Sequence, residues 1–368
     1  MEGLAFGWRT AVLAVAVTQL LLIAAALTRP LANRIANRTL AALLIVLAGI
    51  LVPWMIGFAG FYDRWRWLTF APFAIPLAVG PLLWLYVVAL THGRWPARGW
   101  VHLLPAMLQL AFLSASFCLP MPLKDRWADW AGDPVARATG VGAVMGLALY
   151  GIAGLRLLRR YRALLASTRS DDARFAARWL ARALIAAAAL LPVWAGYAVW
   201  DAVDPLGYRA LMGLHLAIAA FALYLGIEGW RYAALPFPHV DSAVPPTVPA
   251  GRDWRALGEA WAATVREQGW AADPELSLAT LARRLGTNTG YLSRAMNEGL
   301  GVSFSAFING LRSRAVAAAI DGGDPRPLLD LALEGGFASK ASFNRAFQAE
   351  LGVSPSAYRR ASMREKQG

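Results

Sequence analysis

The chain has 368 residues, of which 58% are hydrophobic and only 16% charged; with a mean hydropathy of +0.44 it departs from the ~45–50% apolar and ~25% charged composition of soluble domains. That balance excludes disorder and an ordinary single cytosolic domain. The lone Cys118 excludes an intrachain disulfide, and the four histidines at 92, 102, 215 and 239 have no ligand spacing, so no metal or other cofactor is expected. The formal net charge of +13 invites a nucleic-acid reading, whose meaning depends on where the charge lies.

The gaps between charged residues supply the first elements. Arg9 to Arg29 encloses 19 uncharged residues, Arg38 to Asp63 24, Arg66 to Arg94 27 and Arg98 to Lys124 25. Arg137 to Arg156, Arg182 to Asp201 and Arg209 to Glu228 enclose 18 each. A bilayer-spanning helix needs about 20 mostly apolar residues, so residues 1–234 are predicted to form a seven-helix transmembrane bundle. Pro53, Pro76, Pro81, Pro105 and Pro192 fall within these spans, where neighbouring helices re-satisfy freed backbone groups. The first span is long enough to remain, and no small-residue cleavage site follows it, so no signal peptide is expected.

Lysine and arginine give the orientation. The first, third and fifth connections carry 13 basic residues; the N-terminal tail and the second, fourth and sixth carry 7. The positive-inside bias places the first set in the cytoplasm, with the N-terminus outside and the C-terminus inside a bacterial inner membrane. Residues 1–234 hold a net +11 and residues 235–368 a net +2. Most of the charge is therefore a topology signal and says little about DNA. In the fifth connection, Arg156, Arg159, Arg160 and Arg162 suit anionic headgroups; a docking surface for the cytoplasmic part is the alternative.

The extracytoplasmic connections are too short to hold a ligand-binding domain. A signal would be read within the bundle or at its outer mouth, where Trp194, Tyr197, Asp201 and Asp204 fall at helical spacing near the end of the sixth span. The plainer reading, preferred here, is an interfacial aromatic belt with water-facing aspartates. Trp127 and Trp130 likewise read as interface anchors, and Glu228 as a helix-end carboxylate. Residues 235–252 carry five prolines and read as a semi-rigid spacer.

Residues 253–368 contain an internal repeat. LGVSFSAF at 300–307 returns as LGVSPSAY at 351–358, and the same offset of 51 pairs Asn288 with Ser339, Leu292 with Phe343 and Arg294 with Arg345. One residue earlier, Ala282 and Gly286 pair with Ala332 and Gly336. Each unit reads as an apolar helix, a turn glycine, a polar N-cap and a second amphipathic helix, the grammar of a duplicated helix-turn-helix. Tyr291, Leu292, Ala295 and Met296 are predicted to face inward in the first unit, as are Phe343, Ala346 and Phe347 in the second. The outward stripes then hold Arg, Lys, Asn and Gln, the side chains suited to base edges in the major groove.

The stretches LSLATLARRLG, YLSRAMNEGLGVSFSAFINGLR, LALEGGFASKASFNRAF and LGVSPSAYRR, spanning Leu276 to Arg360, resemble the C-terminal DNA-binding domain of AraC/XylS-type transcription regulators. MNEGLG, and the preceding WAATVREQGWAADPEL, resemble the subgroup with an N-terminal membrane region. The resemblance implies an all-α fold and base-reading positions at Thr289, Gly290, Ser293, Arg294 and Asn297, then Lys340, Ala341, Asn344 and Arg345. Gly290 and Ala341 are departures whose small side chains offer little to a base. Arg359 and Arg360 are expected only to add charge. The implied partners are double-stranded DNA, membrane lipid, RNA polymerase, a second copy of the chain and a small or lipophilic signal. No catalytic constellation and no inverted repeat is visible, which argues against a membrane enzyme or a transporter. A helical module that binds a protein partner is the remaining alternative to DNA binding.

Overall fold

The computed structural model describes residues 4–29, 32–203, 210–239 and 253–365. Among these the fold is helical throughout, apart from one isolated antiparallel bridge between Arg169 and Ser277. The chain divides into two compact units, one formed by residues 1–158 with 178–239, the other by 159–177 with 240–368.

The first unit contains α1 (Trp8–Leu27), α2 (Arg34–Phe58), α3 (Val79–His92), α4 (Leu104–Phe117), most of α5 (Met121–Thr168), α6 (Arg178–Val203) and α7 (Met212–Arg231). α1 packs on α2 and α7, α2 on α3 and α7, and α6 on α7. In α1, Leu13, Leu20 and Leu27 recur every seven residues and are fully buried, while Val15 and Leu22 are exposed. Apolar residues thus line both faces, the pattern of a helix buried on one side and bathed in lipid on the other.

Among the described residues, six helices are long and apolar enough to cross a membrane: Trp8–Leu27, Arg34–Phe58, Gly99–Phe117, Met121–Thr168, Arg178–Tyr197 and Met212–Arg231. The gap from Arg66 to Arg94, expected to be a full span, holds instead a 17-residue apolar helix, Pro76–His92. Its uncharged first third is irregular, and Pro76 opens the helix at the position where a missing amide costs least. Pro105 also opens its helix, whereas Pro53 and Pro192 lie inside α2 and α6.

A second difference concerns the fourth connection. Residues 121–137 are the opening turns of the 48-residue α5, despite Pro134 inside it. At 1.5 Å per residue such a helix is on the order of 70 Å long, more than twice the hydrocarbon thickness. A charge gap measures the apolar stretch only, and the Ala-, Arg- and Asp-bearing sequence on either side continues the helix in polar surroundings. Lys124 in this stretch is 3% exposed. Its ammonium donates to the carbonyls of Trp67 (3.0 Å) and Phe117 (2.7 Å).

The first residues of the proline-rich segment are fastened down. Asn33 Nδ2 donates to Leu235 O (2.6 Å), Asn33 Oδ1 accepts from Phe237 N (3.3 Å), and Asn37 Nδ2 donates to Ala233 O (3.1 Å). The rest of that segment, 240–252, lies outside the described residues, as does Asp204.

The second unit contains α8 (Trp254–Glu267), α9 (Leu278–Arg284), α10 (Thr289–Arg294, continued by a π turn over Ala295–Gly299), α11 (Phe304–Asp321), α12 (Leu328–Glu334), α13 (Lys340–Leu351) and α14 (Pro355–Glu365). It has two cores. The first joins Val265 of α8 to Leu278, Leu281, Leu292, Met296, Phe304 and Ile308. The second joins Val316, Ala317 and Ile320 to Leu331, Phe337, Phe343 and Phe347. α11 therefore puts its first half into one core and its second half into the other. Residues 159–177 also belong to this unit.

Candidate nucleic-acid interface

Each half of the repeat is built by the same devices. Asn288 caps α10 by accepting from Tyr291 N (2.8 Å), and Ser339 caps α13 by accepting from Ser342 N (3.2 Å). Ser303 accepts from Ala306 N (3.2 Å) at the start of α11, and Ser354 accepts from Ala357 N (3.3 Å) at the start of α14. These caps satisfy amides that a helix start leaves without partners. The repeat-paired glycines share the left-handed region as well: φ is +66° at Gly286 and +91° at Gly336, then +70° at Gly301 and +77° at Gly352. The spacing of the repeat in sequence is thus the spacing of its turns.

The inward sets fall as expected. Leu292, Ala295 and Met296 are buried, Tyr291 packs its ring 5.8 Å from that of Trp254, and Phe343 and Phe347 are buried beside a half-buried Ala346. On the other faces, Thr289 and Asn297 are exposed while Gly290, Ser293 and Arg294 are half-buried; Lys340, Ala341, Asn344 and Arg345 are all exposed. Arg294 is held by Glu298 (3.2 Å) and lies 5.7 Å from the Trp254 ring. Asn297 Nδ2 donates to Ser293 Oγ (3.2 Å). The stripe of the first unit is therefore internally paired, and binding a base would exchange those partners.

Arg359 departs from the expectation. It is half-buried, and its Nη1 donates to the carbonyl of Arg326 (2.8 Å). Arg326 in turn forms a bidentate pair with Asp324 and reaches Glu334 (2.6 Å). That guanidinium holds the Asp324 carboxyl down at about 2. Arg359 thus braces the turn before α12, and Arg360 alone of the two is exposed.

Sequence reasoning also missed Arg312, 2% exposed and lying between the two cores. Its Nε donates to Ala271 O (2.7 Å) and its Nη2 to Asp273 O (2.6 Å) and Ser170 Oγ (3.1 Å). Its Nη1 donates to Asn309 Oδ1 (3.1 Å), and the Phe337 ring is 5.9 Å away. Burial pulls this guanidinium down to about 10, opposed by Asp171 and Asp273. It stays charged at neutral pH and ties two part-buried carbonyls and the Ser170 hydroxyl to α11. A signal existed: Arg312 stands four residues after Ile308 and four before Val316, on the buried stripe of α11.

In the first unit, Trp194 and Tyr197 of α6 are half-buried, and a Cβ at Gly213 in α7 would lie 2.6 Å from the Tyr197 hydroxyl. Asp201 belongs to the last turns of α6. The His215 ring lies tilted at 33° against that of Trp54, with centroids 4.0 Å apart, and its Nδ1 pairs with Leu211 O (2.9 Å). Glu228 pairs with Arg231 (2.7 Å). Among the described residues no three of His, Cys, Asp and Glu are grouped as a metal site.

Residues 281–361 match a helix-turn-helix domain family. Over 90 residues, 24% of this chain, the sequence is 34% identical to the transcriptional regulator Rob of Salmonella typhimurium. Over 85 residues, 23% of the chain, it is 35% identical to an uncharacterised HTH-type transcriptional regulator of Staphylococcus aureus. The matched region spans 31% of the first relative and 11% of the second. No solved structure matches. The C-terminal region is therefore a helix-turn-helix domain similar to those of transcription regulators, and it follows a multi-helix region with the length and composition of membrane spans.

Proposed function

We propose that the chain is a membrane-tethered, one-component transcription regulator of the AraC/XylS type. Its two helix-turn-helix units bind a specific DNA site, and its membrane bundle senses the signal. One observation carries this reading: caps, left-handed glycines and polar outward stripes recur in both units at the repeat offset. Such a repeat presents two second helices to successive major-groove segments about one helical turn, ~34 Å, apart. Thr289, Gly290, Ser293, Arg294 and Asn297 form the first reading stripe; Lys340, Ala341, Asn344 and Arg345 form the second.

The six long apolar helices, with α3 as a shorter seventh span, carry an odd number of crossings. With 13 basic residues against 7 on alternate connections, the C-terminal unit lies in the cytoplasm and the N-terminus outside. The three regions are the bundle (1–234), the spacer (235–252) and the DNA-binding part (253–368). RNA polymerase and a second copy of the chain are its protein partners. The outer end of α6, around Trp194, Tyr197, Asp201 and Asp204, is the entry point for a small or lipophilic signal.

The test is footprinting with the full chain in detergent micelles. Two protected segments about one turn apart, with affinity falling steeply as salt rises, are expected. Protection of a single groove segment would remove the double-unit reading. Salt-independent retention of a protein, with no DNA shift, would favour the module as a protein-binding one.

A further inference from the structure

The segment between α5 and α6 lies against α11 and the approach to α9, within the same compact unit. Ser170 is 3% exposed and is held from three sides. Its amide and hydroxyl both donate to Leu276 O (3.4 and 2.9 Å), its carbonyl accepts from Asn309 Nδ2 (3.0 Å), and its hydroxyl accepts from Arg312 (3.1 Å). On one side of it, Arg169 forms the antiparallel bridge with Ser277, the residue that caps α9. On the other, Asp172 Oδ1 accepts from Ser305 Oγ (2.8 Å). Asp171, 9% exposed, is paired with Arg169 through two bonds of 2.7 and 3.1 Å and faces the Arg312 charge.

A surface connection of this composition would ordinarily run solvated over the protein. Here its backbone is paired like a short added strand at Arg169 and Ser170, the Ser170 hydroxyl is held by the buried Arg312, and Asp172 at the other end accepts from Ser305. The residues that grip it, Ser305, Asn309 and Arg312, lie one turn apart along α11. That is the helix that ties the two cores together. The bonds that hold the segment run to Leu276, Ser277, Ser305, Asn309 and Arg312, which are not among the nine base-reading positions.

We propose that Arg169–Asp172 is a docking strap: a polar surface on α11 and the start of α9 binds this segment of the same chain. The DNA-binding unit is thereby attached to the membrane spans at a second place besides the 235–252 spacer. The strap holds the helix that joins the cores of the two helix-turn-helix units. The strap does not cover the DNA-binding face. The proposal rests on the DNA-binding reading only for this last statement.

The experiment uses the full chain in membranes, with Cys118→Ser as background. Asp172→Cys is combined with Ser305→Cys, and the pair is oxidised mildly. Mass spectrometry of the joined peptides is expected to show most chains cross-linked. The reference pair, Asp172→Cys with Ala341→Cys, stays at least tenfold lower. Adding Ser170→Trp, which cannot fit the buried site, lowers the yield of the first pair at least fivefold. Equal yields for the two pairs, or no loss with Ser170→Trp, would overturn the strap. The cross-linked chain should bind a random-sequence duplex at low salt within twofold of the reduced chain. A loss of DNA affinity restored by reductant would show that the strap occludes the DNA face and would overturn the open-face claim. Absence of binding in both forms, with cross-linking intact, would count against the DNA reading and leave the strap standing.

Discussion

Ser170 and Arg312 are 142 residues apart in sequence and joined by a 3.1 Å hydrogen bond from Nη2 to Oγ. The arginine that makes it also holds two backbone carbonyls on the approach to the first helix-turn-helix and faces the Phe337 ring of the second. Removing a buried charge with several partners is costly because the groups it served stay buried. Arg312→Leu should destabilise the C-terminal helix-turn-helix unit by about 3–5 kcal/mol, visible as early unfolding of 253–365 in thermal proteolysis. Arg312→Lys should recover only part of this, since an ammonium cannot span the carbonyls of Ala271 and Asp273 and the Ser170 hydroxyl together.

Two glycines that are equivalent in the repeat should respond very differently to alanine. Both have positive φ, which costs an L-residue about 1–2 kcal/mol. A Cβ at Gly286 would meet nothing within 4 Å, whereas one at Gly336 would lie 2.5 Å from Ala272 O and 2.9 Å from Ala271 O. Gly286→Ala should therefore cost only the backbone strain. Gly336→Ala should add a clash with backbone that cannot move away, and should abolish the cooperative melt of the C-terminal unit. Similar melting temperatures for the two variants would contradict the close approach at Gly336.

The repeat in the sequence made the helix-turn-helix architecture legible in advance. Asn288, Ser339 and the turn glycines are local signals, each acting within three or four residues. Base-edge candidates followed from helical periodicity for the same reason. Other features depend on distant partners. Nothing near Ser170 announces Leu276 or Arg312, and Arg359 looked like a loose charge because its acceptor, Arg326 O, lies 33 residues away. The third charge gap holds a shorter helix than its length suggests, because an absence of charge does not make a helix: residues 69–75 are apolar yet irregular before Pro76.

The three arginines near the end of the repeat should separate in DNA binding. Arg345→Ala should lower affinity for the cognate site far more than for scrambled duplex, by about 1–3 kcal/mol of discrimination. Arg360→Ala should weaken both about equally and reduce the salt slope by about one. Arg359→Ala should instead lower thermal stability, since it releases the Arg326 carbonyl. Titrating each variant against both duplexes across salt, with a melt of each, tests the set. Equal losses on both duplexes for Arg345→Ala would mark it as a phosphate contact.

Orientation is open to a direct check. A reporter active only outside the cytoplasm should be silent when fused after Gly368 and active when fused before Met1. The opposite pattern would put the helix-turn-helix domain on the wrong side for DNA, and the count of basic residues would then have misled.

The central claim is that a membrane-embedded chain holds specific DNA. Mapping where the intact, membrane-bound protein sits across the genome tests it most directly, with Asn344→Ala/Arg345→Ala as the comparison. The account predicts a small set of discrete sites sharing one sequence pattern, lost in the double variant while the protein remains in the membrane at normal levels. Uniform coverage, or the same sites in the double variant, would contradict it.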